Sequence, residues 1–78
     1  MDKAAEFKKI AAQYSNLTPE EITDDMNLRE GLGLSSLDFM AFLGELEDAF
    51  DVEIDPERAV QVNTIGEAIQ MIDELMEA

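Results

Sequence analysis

Cysteine and histidine are both missing from this chain. Without cysteine there is no disulfide framework, no thiolate nucleophile and no zinc-thiolate site. Without histidine the commonest general base and the commonest metal ligand are gone too. No glycine-rich phosphate cradle is present either, so an enzyme is not the expected reading. Positive charge is scarce: five Lys and Arg stand against nineteen Asp and Glu, for a formal charge of −14. Such a surface repels nucleic acid and anionic membranes, costs stability through self-repulsion, and attracts basic protein patches over a Debye length of about 10 Å. Long apolar runs are absent. The longest, Phe39 to Leu43, falls far short of the roughly 20 residues that cross a bilayer, so no membrane insertion is expected. The start, Met-Asp-Lys-Ala-Ala-Glu, lacks the apolar core of a signal peptide. A cytoplasmic protein is the expectation, or an organellar one after loss of a presequence. Asp24-Asp25-Met26-Asn27 does not continue with EF-hand spacing, and no metal site is expected.

What is present is apolar periodicity. Hydrophobic residues make up 46% of the 78, and they recur at helical spacing. The expectation is one folded domain, residues 1–78, with a small core: about 60% of the unfolded chain's surface is buried at this size. Asp2 is placed to cap a first helix from about Lys3 to Ser15, with Ala4, Phe7, Ile10, Ala11 and Tyr14 as its stripe. Asn16-Leu17 ends it. Thr18-Pro19-Glu20-Glu21 reads as a capped short turn with Ile22 buried. Thr23 to Gly33 reads as a long loop anchored by Met26, Leu28 and Leu32, and loops of that length are often functional. Asp55-Pro56-Glu57 opens a short helix or turn to about Val60. Thr64-Ile65-Gly66-Glu67 is a capping box for a last helix to about Met76, with Ile65, Ala68, Ile69, Ile72, Leu75 and Met76 apolar. Val52-Glu53-Ile54 is too short to build a sheet. The expected fold is all-α: a small bundle of three main helices with one or two short ones.

The second of the main helices, about Leu37 to Phe50, has two apolar stripes. Phe39, Phe42, Leu43, Leu46, Ala49 and Phe50 form a core stripe. Leu37, Met40, Ala41 and Gly44 form another at the same spacing. A helix apolar nearly all round is either deeply buried or presents a contact surface. Full burial is difficult in so small a domain, so the second stripe is expected to be exposed for a partner.

Just before this helix runs Gly31-Leu32-Gly33-Leu34-Ser35-Ser36-Leu37-Asp38. Both serines lie near the unpaired N–H groups of a helix start, where the macrodipole favours negative charge, phosphate included. By spacing alone Ser35 and Asp38 make a capping box, and a plain N-cap is the commoner meaning of a serine here.

Gly-Leu-Gly-x-x-Ser-Leu-Asp, followed by a helix ending Glu-Asp-Ala-Phe-Asp-Val-Glu-Ile, resembles the acyl carrier proteins. The resemblance spans about residues 28 to 55, with a similar helical pattern on both sides. It implies that Ser36 carries a 4′-phosphopantetheine arm, with Ser35 as the cap. It also implies an acyl-chain cleft lined by Leu28, Leu46, Phe50, Ile54, Ala59, Val62 and Ala68, which are otherwise plain core. The partners implied are a phosphopantetheinyl transferase and acyl-handling enzymes, which meet Leu37, Asp38, Met40, Ala41, Gly44, Glu45, Glu47 and Asp48 through basic patches. Electrostatic docking of this kind mainly sets encounter rate and specificity.

The resemblance further implies a carrier serving fatty-acid or related lipid or polyketide synthesis, and the initiating Met and the lack of linkers lead to the expectation of a free-standing monomer. The usual family triplet is Asp-Ser-Leu, whereas this chain has Ser35-Ser36-Leu37. Ala41 stands where a glutamate is common and Gly44 where a larger apolar residue is common. These departures imply a specialised set of partners. The alternative reading is an unmodified acidic interaction module that offers the Leu37/Met40/Ala41/Gly44 stripe to a partner helix.

Overall fold

The computed structural model describes residues 2–77; the two ends of the expected domain, Met1 and Ala78, lie outside the described residues. Among the described residues four helices are formed: α1 (Lys3–Gln13), α2 (Ser36–Phe50), α3 (Pro56–Ala59) and α4 (Ile65–Glu77), with a one-turn 3-10 helix at Pro19–Glu21. Three main helices and two short ones match the expected all-α bundle. None is long and apolar enough to cross a membrane among the described residues.

Each start follows from its capping residue. The Asp2 carboxylate accepts from the N–H groups of Ala4 (3.0 Å) and Ala5 (3.4 Å). Asp55 accepts from the Glu57 N–H at 2.9 Å, with Pro56 at the first helical position. Thr64 and Glu67 exchange reciprocal bonds: the Glu67 N–H donates to Thr64 Oγ1 at 3.2 Å, and the Thr64 N–H to Glu67 Oε1 at 3.1 Å. This satisfies two orphan donors at the helix start at once.

α1 stops short of the expected Ser15. The N–H groups of Tyr14 and Ser15 donate three residues back, to the carbonyls of Ala11 and Ala12, so the end tightens into a 3-10 turn. Ser15 Oγ then accepts the Leu17 N–H at 3.2 Å, a local bond that competes with helix continuation.

One apolar cluster draws on every helix and both long connections. Phe42 is fully buried at its centre, with Phe7 (5.5 Å between ring centroids) and Tyr14 (5.7 Å) both edge-on to it. Ile22, Leu28 and Leu32 are buried as expected, and Met26 packs on the cluster's margin. One core expectation needs correction. Ala49 is exposed, because the buried arc of α2 runs through Leu46 to Phe50 and leaves residue 49 outside it. In α4 the buried residues are Ile65, Ala68, Met71 and Ile72, while Met76 is exposed. The i+3 step from Ala68 to Met71 places that methionine in the stripe.

The long loop is not structureless. Its backbone is stitched to the start of α4: the Leu28 N–H donates to the Asn63 carbonyl (2.8 Å), that of Ile65 to Met26 (2.9 Å) and that of Gly66 to Asp24 (2.8 Å). Asn27 and Thr64 form an isolated antiparallel bridge. Ion pairs also tie elements together, Lys3 to Asp73, Lys8 to Asp24 and Arg58 to Glu74. The loop before the serines therefore leaves a fixed base.

Candidate functional site

The approach to α2 is a tight turn. Asn27 Oδ1 accepts from the N–H groups of Arg29 (2.9 Å) and Glu30 (2.7 Å). The turn ends as a helix does in a Schellman motif: the Leu34 N–H donates to the Arg29 carbonyl (2.9 Å) and the Gly33 N–H to that of Glu30 (3.3 Å). Gly33 takes the left-handed conformation this closure needs, φ 71°. Gly31 is required for a different reason. A Cβ there would lie 2.3 Å from Met26 Cγ and 2.5 Å from the Asn27 carbonyl oxygen.

The two serines then divide. Ser35 is the N-cap of α2: its Oγ accepts the Asp38 N–H at 3.1 Å and its carbonyl the Phe39 N–H at 2.8 Å. Ser36 is the first helical residue and is exposed. Its hydroxyl makes no hydrogen bond to protein, and the N–H groups of Ser36 and Leu37 have no protein acceptor, among the described residues. The helix start thus keeps a free nucleophilic hydroxyl and two unspent donors, in a field worth about 0.3–1 kcal/mol to a negative charge.

Beside Ser36 lies an open depression of about 310 Å³, lined by Arg29, Leu34, Ser35, Ser36, Phe39, Met40 and Val60. Its floor is mostly apolar. The Arg29 guanidinium sits over the Phe39 ring, 5.4 Å from its centroid.

Of the residues expected to meet partners, Leu37 (81% exposed), Met40 (50%), Ala41 and Gly44 do form an open stripe. A Cβ on Gly44 would meet nothing. Asp38, Glu45 and Asp48 are exposed as well, whereas Glu47 is half-buried and its Oε2 accepts the Ile54 N–H at 2.9 Å. Glu47 therefore also fastens the chain that leaves α2. The expected cleft residues Leu28, Leu46, Phe50, Ile54, Ala59, Val62 and Ala68 all lie in the packed core. Val62 borders a hollow of about 220 Å³ between α3 and α4, separate from that depression. The depression beside the two serines is lined instead by Arg29, Leu34, Phe39, Met40 and Val60, of which Met40 was expected on the partner face. Phe39 was legible as core. For Arg29 the available signal was its place just ahead of the glycine turn, in a chain so poor in basic residues.

These residues suit a phosphopantetheine arm. An unencumbered hydroxyl would take the ester, unspent N–H groups and a cation would lie near its phosphate, and an apolar hollow lies alongside. Comparison with known proteins agrees. The family described as "Phosphopantetheine attachment site" matches residues 5–72. An acyl carrier protein of Sulfurovum sp. (strain NBC37-1) is 34% identical over 68 residues, covering 87% of this chain and 91% of that protein. With most of its length matched in both comparisons, the chain belongs to the acyl carrier family, whose cofactor is covalent 4′-phosphopantetheine.

Proposed function

We propose that Ser36 is the attachment point and that the chain presents acyl thioesters from it to enzymes of fatty-acid or related lipid or polyketide synthesis. The observation that carries this is the contrast between neighbouring hydroxyls, Ser35 spent on the cap and Ser36 free and exposed. The arm supplies the thiol that this cysteine-free chain lacks. The protein supplies an anchor, an address and shelter, and the chemistry belongs to its partners.

The address is the outward face of α2. Leu37, Met40, Ala41 and Gly44 offer apolar contact, and Asp38, Glu45 and Asp48 offer charge to a basic surface. Glu47 contributes to that charge while holding Ile54. An arm rooted at Ser36 has the depression next to it, and its apolar lining suits the near end of an acyl chain. The seven cleft residues stand close-packed behind, so deeper entry requires side chains to part. The net charge of −14 opposes self-association, which supports a monomer, and the reading extends to a cytoplasmic setting.

The test is intact mass after incubation with coenzyme A and a broad-range phosphopantetheinyl transferase. A single arm on the wild type and none on Ser36→Ala is expected. Failure of the wild type to load would favour the unmodified interaction module.

A further inference from the structure

We infer that Arg29 is a ligand for the phosphodiester of the arm and sets the direction in which the arm leaves the protein. The inference rests on the reading of Ser36 as the attachment point. Its starting observation is the pairing of the basic residues. Lys3, Lys8 and Arg58 each meet a carboxylate. Arg29 and Lys9 meet none among the described residues, although nineteen acids are present in the sequence, but Lys9 is exposed to water whereas Arg29 is half-buried. Its Nη1 is enclosed and has no hydrogen-bond acceptor.

An enclosed cationic donor without an acceptor is costly. The Phe39 ring compensates in part, because its face attracts a cation. That face offers nothing to the N–H groups that point out of the guanidinium plane's edge, and these need oxygen. An oxygen-rich anion in the depression would give the guanidinium acceptors once it turns its enclosed edge outward, and a planar fork matches phosphate oxygens in pairs.

Geometry puts such an anion within the same hollow. Phe39 lies three residues after Ser36 on α2, so the two side chains occupy one face a turn apart, with Cβ atoms about 5–6 Å from each other. The guanidinium resting on Phe39 and the Ser36 side chain line the same depression. A phosphorus esterified to Ser36 Oγ is one bond from that oxygen, at the rim.

The arginine is also held there. The Arg29 N–H is bound to Asn27 Oδ1 and its carbonyl to the Leu34 N–H, so the side chain starts from a fixed root. Around it the charges are unfavourable to a phosphate, with Glu30 next in the chain and Asp38 in the first turn of α2. Arg29 offsets them at the one place where the molecule takes on a further negative charge. A phosphate held on this side would start the arm over Leu34, Phe39, Met40 and Val60 rather than out to solvent.

The experiment uses isotope-labelled chain, apo and loaded, with the position of the arm on Ser36 established by mass first. In the wild type, loading is expected to shift the Arg29 side-chain N–H signals. The 31P signal of the ester is expected to move between wild type and Arg29→Gln, with Arg29→Lys in between. Arg29→Met separates this from a packing role. It keeps bulk over Phe39 and removes the unsatisfied donor, so the apo variant is expected to melt no lower than apo wild type. Loading is expected to raise the melting temperature of the wild type relative to Arg29→Met. Unmoved Arg29 signals and an unmoved 31P shift, on a chain that carries its arm at Ser36, would overturn the inference and leave the attachment reading intact. Equal destabilisation of apo and loaded Arg29→Met would likewise overturn it. A wild-type chain without an arm at Ser36 fails at the mass step and overturns both.

Discussion

Along α2, Phe39, Phe42, Leu43, Leu46 and Phe50 are buried, while Leu37, Met40, Ala41 and Gly44 on the adjoining stripe face water. The two stripes are similar in residue type and opposite in fate. The inner one earns its hydrophobicity within the chain, by removing aromatic and aliphatic surface from solvent. The outer one gains nothing from the chain itself, and Gly44 weakens the helix by about 0.5–1 kcal/mol relative to alanine. Folding explains the inner stripe, and the proposed docking of a partner would account for the outer one.

The comparison predicts a graded set of outcomes. Phe42→Ala removes the fully buried ring that Phe7 and Tyr14 pack against, and should cost about 3–5 kcal/mol. In a domain stabilised by about 5–15 kcal/mol, urea denaturation followed by circular dichroism should show a large fall in midpoint. Ser35→Ala should cost about 1 kcal/mol through the lost cap, read the same way, while leaving Ser36 able to accept the arm. On the outer face, Leu37→Ala and Ala41→Glu should each change stability by less than about 0.5 kcal/mol. Both should nonetheless alter kcat/KM when acyl-handling enzymes use the loaded chain as substrate. Stability loss from these two, with unchanged turnover, would erase the distinction between the stripes.

The smallest effect is alkaline. Burial, helped by Glu45 and Asp38, raises the Tyr14 hydroxyl above its ordinary 10.0. The hydrogen bond to Asp73, against some desolvation, raises Lys3 above its ordinary 10.5. Each group binds its proton more tightly when folded than when unfolded. The contribution is complete below the ordinary value and is lost as pH climbs through the raised one. Denaturation midpoints measured across that range should fall, and Tyr14→Phe should fall less steeply.

Much of this was readable from residues alone, because caps act locally. Asp2, Ser35, Asp55 and Thr64 each announce a helix within a few positions, and each does cap one. The proposed attachment at Ser36 comes from its motif, and its exposure without a hydrogen bond among the described residues is what the structure adds. What sequence could not supply were features made by distant packing. Val60 meets the depression only because α3 folds back toward the start of α2, and Arg29 is notable only once its three paired counterparts are seen. Glu47 looked like docking charge until its bond to the Ile54 N–H appeared. Asp51 shows the same limit. It closes α2 in the left-handed conformation, φ 54°, a role for which glycine is the usual signal.

The division between adjacent serines is the claim on which the rest stands. Trypsin cleavage after Arg29 and Arg58 releases a peptide spanning 30–58 that contains Ser35 and Ser36 and no other serine. Fragmentation of that peptide from chain loaded by a transferase should place the whole added mass on Ser36. An arm found on Ser35, or a peptide without added mass, would contradict the account.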